Sequence, residues 1–292
     1  MSSKASSAVD KRNSSPQGSG STPASAQSVT VSPISAETLA EPCEERATAP
    51  GTAPQLKILV STFCYNENVK IERTLSRFPK DRDYEVVVID DGSTDDSVER
   101  IKKFPDVHIV SHGQNLGAGA AIRTVHRYAL EKDYDVIVLV AGNDKDDPLL
   151  IPRLLQPILE EGYSFVQGSR YMKGGGYGKI PFYRVVATKF VHPFLFSLAA
   201  RRWVSESTNG FRAYRTSLLR DTRIDLNQDW LDKYELEPYL YLKAIRLGYR
   251  VKEVPVTKFY PPKIEGYTKM KPITGWWSIL RPIVYLGLGL KK

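Results

Sequence analysis

Two adjacent carboxylates, Asp90 and Asp91, close a run of β-branched residues, Val86 to Ile89, and stand directly before the turn Gly92-Ser93-Thr94. A strand that ends in acids before a glycine turn places those acids at the carboxyl edge of a sheet. That edge is where open α/β sheets bind ligands. A carboxylate there can accept hydrogen bonds from a ribose hydroxyl or a base N–H. Read without a ligand, the same stretch is a solvated strand end in which Asp95 caps the following helix.

Three further segments have the same build. Leu56 to Leu75 is an apolar strand that runs into Tyr65-Asn66-Glu67 and then a helix. Val107 to Leu130 is strand, Gly/Asn loop and helix. Asp135 to Leu155 is strand, acid-rich loop and helix. Four strand-to-helix units predict an α/β fold with a doubly wound, mostly parallel sheet. Gly117-Ala118-Gly119 opening a helix raises a dinucleotide site as a rival. The third glycine of that fingerprint is absent, however, and the loop follows a late strand. The glycines are expected instead to let helix and sheet pack closely beside a ligand.

The chain has 292 residues and 41% hydrophobic content, enough for one large core. Residues 1–54 are rich in Ser, Ala, Pro, Gly and Thr and are predicted to be disordered. They contain no apolar core of a secretory signal, and Glu37, Glu41, Glu44 and Glu45 are wrong for a transit peptide. The net charge is +8; residues 1–54 carry four basic and five acidic residues, or −1, so the remainder carries about +9. Such charge attracts phosphates or an anionic membrane surface. No nucleic-acid module is visible. Two cysteines, Cys43 and Cys64, exclude a disulfide framework and fit a reducing cytoplasm.

Eight motifs in order, from residue 65 to 269, carry a resemblance. They are YNE at 65–67, DDGSTD at 90–95, NLGAGAAIR at 115–123, GSRYMKGG at 168–175, NGFRAY at 209–214, YELE at 234–237, EVPV at 253–256 and KIEGYTK at 263–269. Together they resemble family 2 glycosyltransferases of the GT-A fold, and most closely the polyprenyl-phosphate branch typified by dolichol-phosphate mannose synthase. The resemblance covers roughly residues 56 to 275. It implies a GT-A domain at 55–271 between the 1–54 tail and an amphipathic segment at 272–292. It also implies a nucleotide-sugar site built from Phe63, Tyr65, Glu67, Asp90, Asp91, Gly142, Asn143, Lys263 and Lys269. Tyr65, Glu67 and Asp91 are expected around the base and ribose, although Tyr65 could equally pack in a core and Glu67 cap a helix. Lys263 stands where the family has Arg, so a phosphate contact keeps its charge but loses the bidentate fork.

The chain departs from the family at the metal. The usual Asp-x-Asp-x-Gln before a proline is read here as Ala141, Gly142, Asn143, Asp144 and Lys145, ahead of Asp146, Asp147 and Pro148. A divalent cation, Mn2+ or Mg2+, is implied by the family, while both of its usual acids are replaced, by Ala141 and Asn143, and Lys145 stands at the Gln position. Three alternatives stand open: a metal held by shifted acids, Asp144 or Asp146; a diphosphate neutralised by Lys145 itself; or a catalytically dead sugar-nucleotide-binding protein.

On the acceptor side the resemblance points to Arg170 and Arg212 for phosphate contacts, with salt bridges as the plain alternative; Glu206 is the partner expected for Arg212. A lipid monophosphate acceptor is already largely ionised and needs no strong base. A saccharide or small-molecule hydroxyl would need one, with Glu235 or Glu237 as candidates. Val185 to Val204 and Trp276 to Leu290 are too short or interrupted to span a bilayer. They suit helices lying at an interface, with Trp276 and Trp277 at headgroup depth, or else core or dimer packing. The expectation is a glycosyltransferase on the cytoplasmic face of a membrane. It would take a UDP- or GDP-sugar and a polyprenyl phosphate and transfer with inversion, as the resemblance implies; homo-oligomerisation is left open.

Overall fold

The structure is a computed structural model that describes residues 55–178, 180–260, 270 and 272–291, with side chains of the last helix from 274 onward. The 1–54 segment, Lys263 and Lys269 lie outside the described residues. The first four strand-to-helix units are as the sequence predicts. They are β1 (Ile58–Cys64) with α1 (Val69–Ser76), β2 (Glu85–Asp90) with α2 (Ser97–Ile101), and β3 (Val107–Ser111) with α3 (Ala118–Glu131). In the fourth, β4 (Val136–Ala141) leads through a 3-10 turn into α4 (Ile151–Glu160). The chain continues through β5 (Phe165–Ser169), β6 (Gly176–Tyr177), α5 (Phe182–Val186), a π-helical turn (Ala187–Val191) and α6 (His192–Ala200). It ends with β7 (Arg212–Arg215), α7 (Leu236–Arg246), β8 (Val251–Pro255), β9 (Thr257–Lys258) and α8 (Pro272–Gly287).

The main sheet has the order β3-β2-β1-β4-β7-β5-β8, and every pairing is parallel except the two made by β7. Helices cover both faces, which is why the central strands are almost continuously apolar. Alternate residues serve opposite layers. Leu59, Ile89, Ile137 and Leu139 pack towards α3, α6, α7 and α8, while Val60, Val88, Val138 and Val140 pack towards α1 and α4. The chain moves outward from β1 to β3, then returns to place β4 on the other side of β1. Strand order therefore reverses between β1 and β4, and the loops leaving their carboxyl ends diverge into a crevice.

The 272–292 segment is not an appendage. Ile279, Ile283 and Leu286 of α8 are buried, and Arg246 of α7 donates to Leu286 O at 2.5 Å and to Ala199 O at 2.8 Å. His192 links α6 to α8 through Ile279 O at 3.0 Å. One face of the expected interfacial helix is thus core, because its apolar residues recur at helical spacing opposite α6 and α7. Among the described residues no helix is long and apolar enough to cross a membrane.

Candidate functional site

The crevice begins with the loops after β1 and β2. Register sets Cys64 beside Asp90, so the two loops leave the sheet together. They are stitched by short polar residues. Ser97 Oγ accepts the N–H groups of Glu67 (3.0 Å) and Asn68 (2.8 Å), Ser93 Oγ accepts that of Asn66 (2.9 Å), and Asn66 Oδ1 accepts that of Thr94 (2.7 Å). Asn66 and Asn68 take left-handed φ values of 50° and 51°, a conformation that Asn tolerates better than most residues. Tyr65 is held there half-buried, and Glu67 is buried with Lys70 3.8 Å away. Phe63 is half-buried against the core.

Asp91, expected against a ribose, faces inward. Its Oδ1 accepts the Leu116 N–H at 2.9 Å and lies 2.8 Å from His112 Nδ1. Its Oδ2 accepts the Gly117 N–H and the Asn115 side-chain amide, both at 2.9 Å. Both oxygens are occupied by the protein, so this carboxylate shapes the Asn115–Gly117 loop. Asp90, also buried, accepts the Ser93 N–H at 3.2 Å. Asp96, not Asp95, stands at the N-cap position of α2, while Asp95 accepts the Ser97 N–H at 3.0 Å.

The glycine loop is corrected too. Two amides of the first turn of α3 are taken by the chain itself: Gly119 and Ala120 donate to Asp232 O at 2.9 and 3.2 Å. A Cβ at Gly119 would collide with the 231–232 backbone. These glycines admit another loop, and the Gly119 and Ala120 amides are not left for a pyrophosphate.

The loop after β4 holds the altered motif. Gly142 is packed so closely that a Cβ would sit 2.5 Å from Phe63 O and 2.8 Å from Ile71 Cδ1. Asp144, at φ 61°, is clamped by Arg73 (3.0 Å) and Arg77 (2.8 Å) of the α1 region. Asp146 is fully buried; it accepts the Ala141 N–H at 3.0 Å and pairs with Lys258 of β9. Asp147 caps the 3-10 turn by accepting the Leu149 N–H at 3.1 Å. The residues do not fit a divalent cation as they stand. Ala141 and Asn143 offer no carboxylate, and the two candidate acids already face cations. No group of three or more His, Cys, Asp or Glu among the described residues could hold a metal.

Lys145 is the residue this loop turns into the crevice. Asp146 forms a bridge with Lys258, and Phe259 N donates to Lys145 O at 2.7 Å. The end of the turn is therefore tied to the segment at Lys258 and Phe259. With Asp146 inward, Lys145 lines a cavity of about 130 Å³. Its ammonium is 5.6 Å from the Tyr260 ring centre. Burial first, then the nearby charge of Lys258, pushes its pKa down to about 8. Arg170, Arg184 and Lys258 share the lining, which includes no carboxylate. The cavity is smaller than the ~300 Å³ at which whole-ligand pockets begin, so it suits part of a ligand.

The predicted acceptor residues divide. Arg170 lines the cavity, but most of its donors are committed to Glu206 (2.7 and 2.5 Å), Thr208 (3.0 Å) and Tyr260 (2.7 Å). Arg212 is buried on the carbonyls of Asn209 (2.6 Å) and Glu237 (2.9 Å), with Glu237 as its ion-pair partner at 3.5 Å. Glu206 belongs to Arg170, so the pairing expected for Arg212 is replaced. Glu235 is buried between the Lys233 N–H (3.0 Å) and Arg281 (3.4 Å). Neither Glu235 nor Glu237 lines the cavity. Sequence reasoning missed Arg184, Lys258 and Tyr260. Lys258 and Tyr260 lie just after the EVPV motif, a hint the spacing offered; Arg184 sits in no motif.

The family model for glycosyl transferase family 2 matches residues 60–223. The chain is 29% identical to the polyprenol monophosphomannose synthase of Mycolicibacterium smegmatis over 226 residues, 74% of this chain and 82% of that protein. It is 30% identical to the undecaprenyl-phosphate mannosyltransferase of Micrococcus luteus over 212 residues, 69% and 83% of the two chains. Glucosyl-3-phosphoglycerate synthase of Mycobacterium tuberculosis, solved with Mn2+, UDP and phosphoglyceric acid, superimposes with a TM-score of 0.58 at 22% identity. That match covers 80% of this chain and 78% of that one.

Proposed function

The chain belongs to glycosyl transferase family 2, and we propose that within it this GT-A enzyme moves a sugar from a nucleotide to a polyprenyl phosphate at a membrane surface. One observation carries the acceptor. The helical run 182–200 lends Arg184 and Thr188 to the cation-lined cavity and exposes Phe182, Tyr183, Phe190, Phe194 and Leu198 to solvent. One element thus sets an apolar face for the lipid chain beside the cation-lined cavity, so that the lipid phosphate reaches the mouth of that cavity while the donor's phosphates lie within it. Trp203 and Trp277 are exposed as well, and tryptophan suits headgroup depth. Trp276, expected beside Trp277, lines the cavity instead. The polyprenol monophosphomannose synthase of Mycolicibacterium smegmatis and the undecaprenyl-phosphate mannosyltransferase of Micrococcus luteus support the same acceptor class.

The chemistry needs little of the protein. In inverting transfer a phosphate oxygen of the lipid attacks the anomeric carbon and supplies the electron pair of the new bond. The bond from that carbon to the diphosphate oxygen breaks, and its electrons leave with the nucleoside diphosphate. The attacking monophosphate is mostly ionised near neutral pH, so no proton must be removed. That agrees with Glu235 and Glu237 being engaged elsewhere. Tyr65 and Glu67 at the β1 loop, with Gly142 and Asn143 after β4, frame the nucleotide end. Asp91 supports it through the Asn115–Gly117 loop.

The test is product formation. UDP- and GDP-linked hexoses, labelled in the sugar, are incubated with undecaprenyl or dolichyl phosphate in vesicles and the lipid is extracted. Label in the organic phase that depends on the lipid phosphate supports the reading. Label transferred only to water-soluble hydroxyl acceptors would overturn the acceptor assignment.

A further inference from the structure

We infer that the cavity beside β4 is a diphosphate site whose positive charge the chain itself supplies, through Lys145 with Arg184, so that donor binding needs no divalent cation. The inference rests on the proposed glycosyl transfer and concerns the donor half of that site.

Three observations converge on it. First, the lining contains four cationic side chains, Lys145, Arg170, Arg184 and Lys258, and no carboxylate. Arg170 and Lys258 have Glu206 and Asp146 behind them. Arg184 has no ion pair among the described residues, and Lys145 shares the cavity lining with Arg184 and Lys258. An anion is the ligand that such a lining recognises. Second, the acids of this loop are withdrawn from the cavity. Asp144 turns to Arg73 and Arg77, and Asp146 to Lys258 and the Ala141 amide. A metal here would have to break ion pairs to gain ligands; a diphosphate would not. Third, Lys145 is fixed by the bridge between Asp146 and Lys258 at the carboxyl end of β4, beside the strand-order reversal. Its ammonium is thus pre-placed where the nucleotide diphosphate of an open α/β sheet lies, and it stabilises negative charge without reorganisation. A lysine is a compact point charge and shares with a metal the ability to meet several phosphate oxygens.

Calorimetry decides the point with UDP, GDP, uridine and guanosine as probes, on protein freed of metal with EDTA and again after adding Mn2+ or Mg2+. The expected result is that at least one diphosphate binds in EDTA and gains less than about threefold from the metal. Lys145→Met should weaken that diphosphate at least tenfold and leave the nucleoside little changed, Lys145→Arg should recover part of the loss, and Arg184→Leu should weaken it severalfold. Thermal melts confirm that each variant folds. Binding of a diphosphate only when metal is present would overturn the lysine assignment and leave the glycosyltransfer reading standing. Failure of both diphosphates with and without metal would overturn the assignment together with the donor site.

Discussion

Lys145 and Asp91 show how neighbours decide what a charged residue does. Burial holds the Lys145 ammonium near a pKa of 8, below its usual 10.5. A lysine whose folded pKa is lowered penalises the folded state below that value, and the penalty is relieved as pH rises from about 8 to 10.5. Lys145→Met should therefore stabilise the ligand-free protein at neutral pH by on the order of 1–3 kcal/mol. The gain should shrink in alkaline buffer; urea titrations at two pH values check this, and a constant or negative difference would contradict it. Asp91 behaves oppositely. Removing its carboxylate strands the Leu116 and Gly117 amides, so Asp91→Ala should cost ~2–3 kcal/mol of stability. Its effect on nucleotide affinity should follow from a loosened loop, and an unchanged urea midpoint would refute the structural role. The adjacency of Asp90 and Asp91 made the sheet edge legible. Which way Asp91 points was not, because its partners lie 21 to 26 residues downstream.

At the scale of elements, the four strand-to-helix units could be read from the sequence because β1, β2 and β4 bury apolar runs on both sides of a parallel sheet and β3, at its edge, repeats the same strand-loop-helix order. The antiparallel β7 and the tiny β6–β9 pair could not. Both depend on long-range pairing, and the second positions Lys258 against Asp146. Arg184 escaped for a similar reason: its meaning comes from the cavity, not from its neighbours in sequence. The 182–200 helical run has a directly testable face. Phe190 and Phe194 are well exposed, so Phe190→Asp with Phe194→Asp should leave the melting temperature nearly unchanged, within the ~0.5 kcal/mol typical of surface changes. Sedimentation with anionic vesicles should fall severalfold, and transfer to a lipid phosphate should fall with it. Equal vesicle binding by the double variant would remove this face from the membrane account. Lys189, Arg201 and Arg202 on the same stretch are exposed, so binding should also weaken with salt.

Over the whole molecule, two histidines tie the layers together in their neutral form. His126 bonds Tyr214 at 2.6 Å, and burial lowers its pKa to about 3; His192 bonds Ser207 and Ile279, and burial lowers its pKa to about 4. The unfolded chain takes up these protons near pH 6.5, the folded chain only well below it. Stability is thus full above about 6.5 and is lost as pH falls towards 4. Urea midpoints should decline through that window, and the decline should be blunted in His192→Gln; a flat profile would contradict the assignment. Residues 1–54, read from composition as unable to bury a core, should be dispensable for folding; a large drop in melting temperature on their deletion would show otherwise. The most direct test joins the site to the reaction: the rate of sugar transfer from UDP- or GDP-hexose to a polyprenyl phosphate in excess EDTA. The wild-type enzyme should turn over without metal, and Lys145→Met should lose roughly a hundredfold or more. Complete loss of wild-type turnover in EDTA, restored by Mn2+ or Mg2+, would contradict the account.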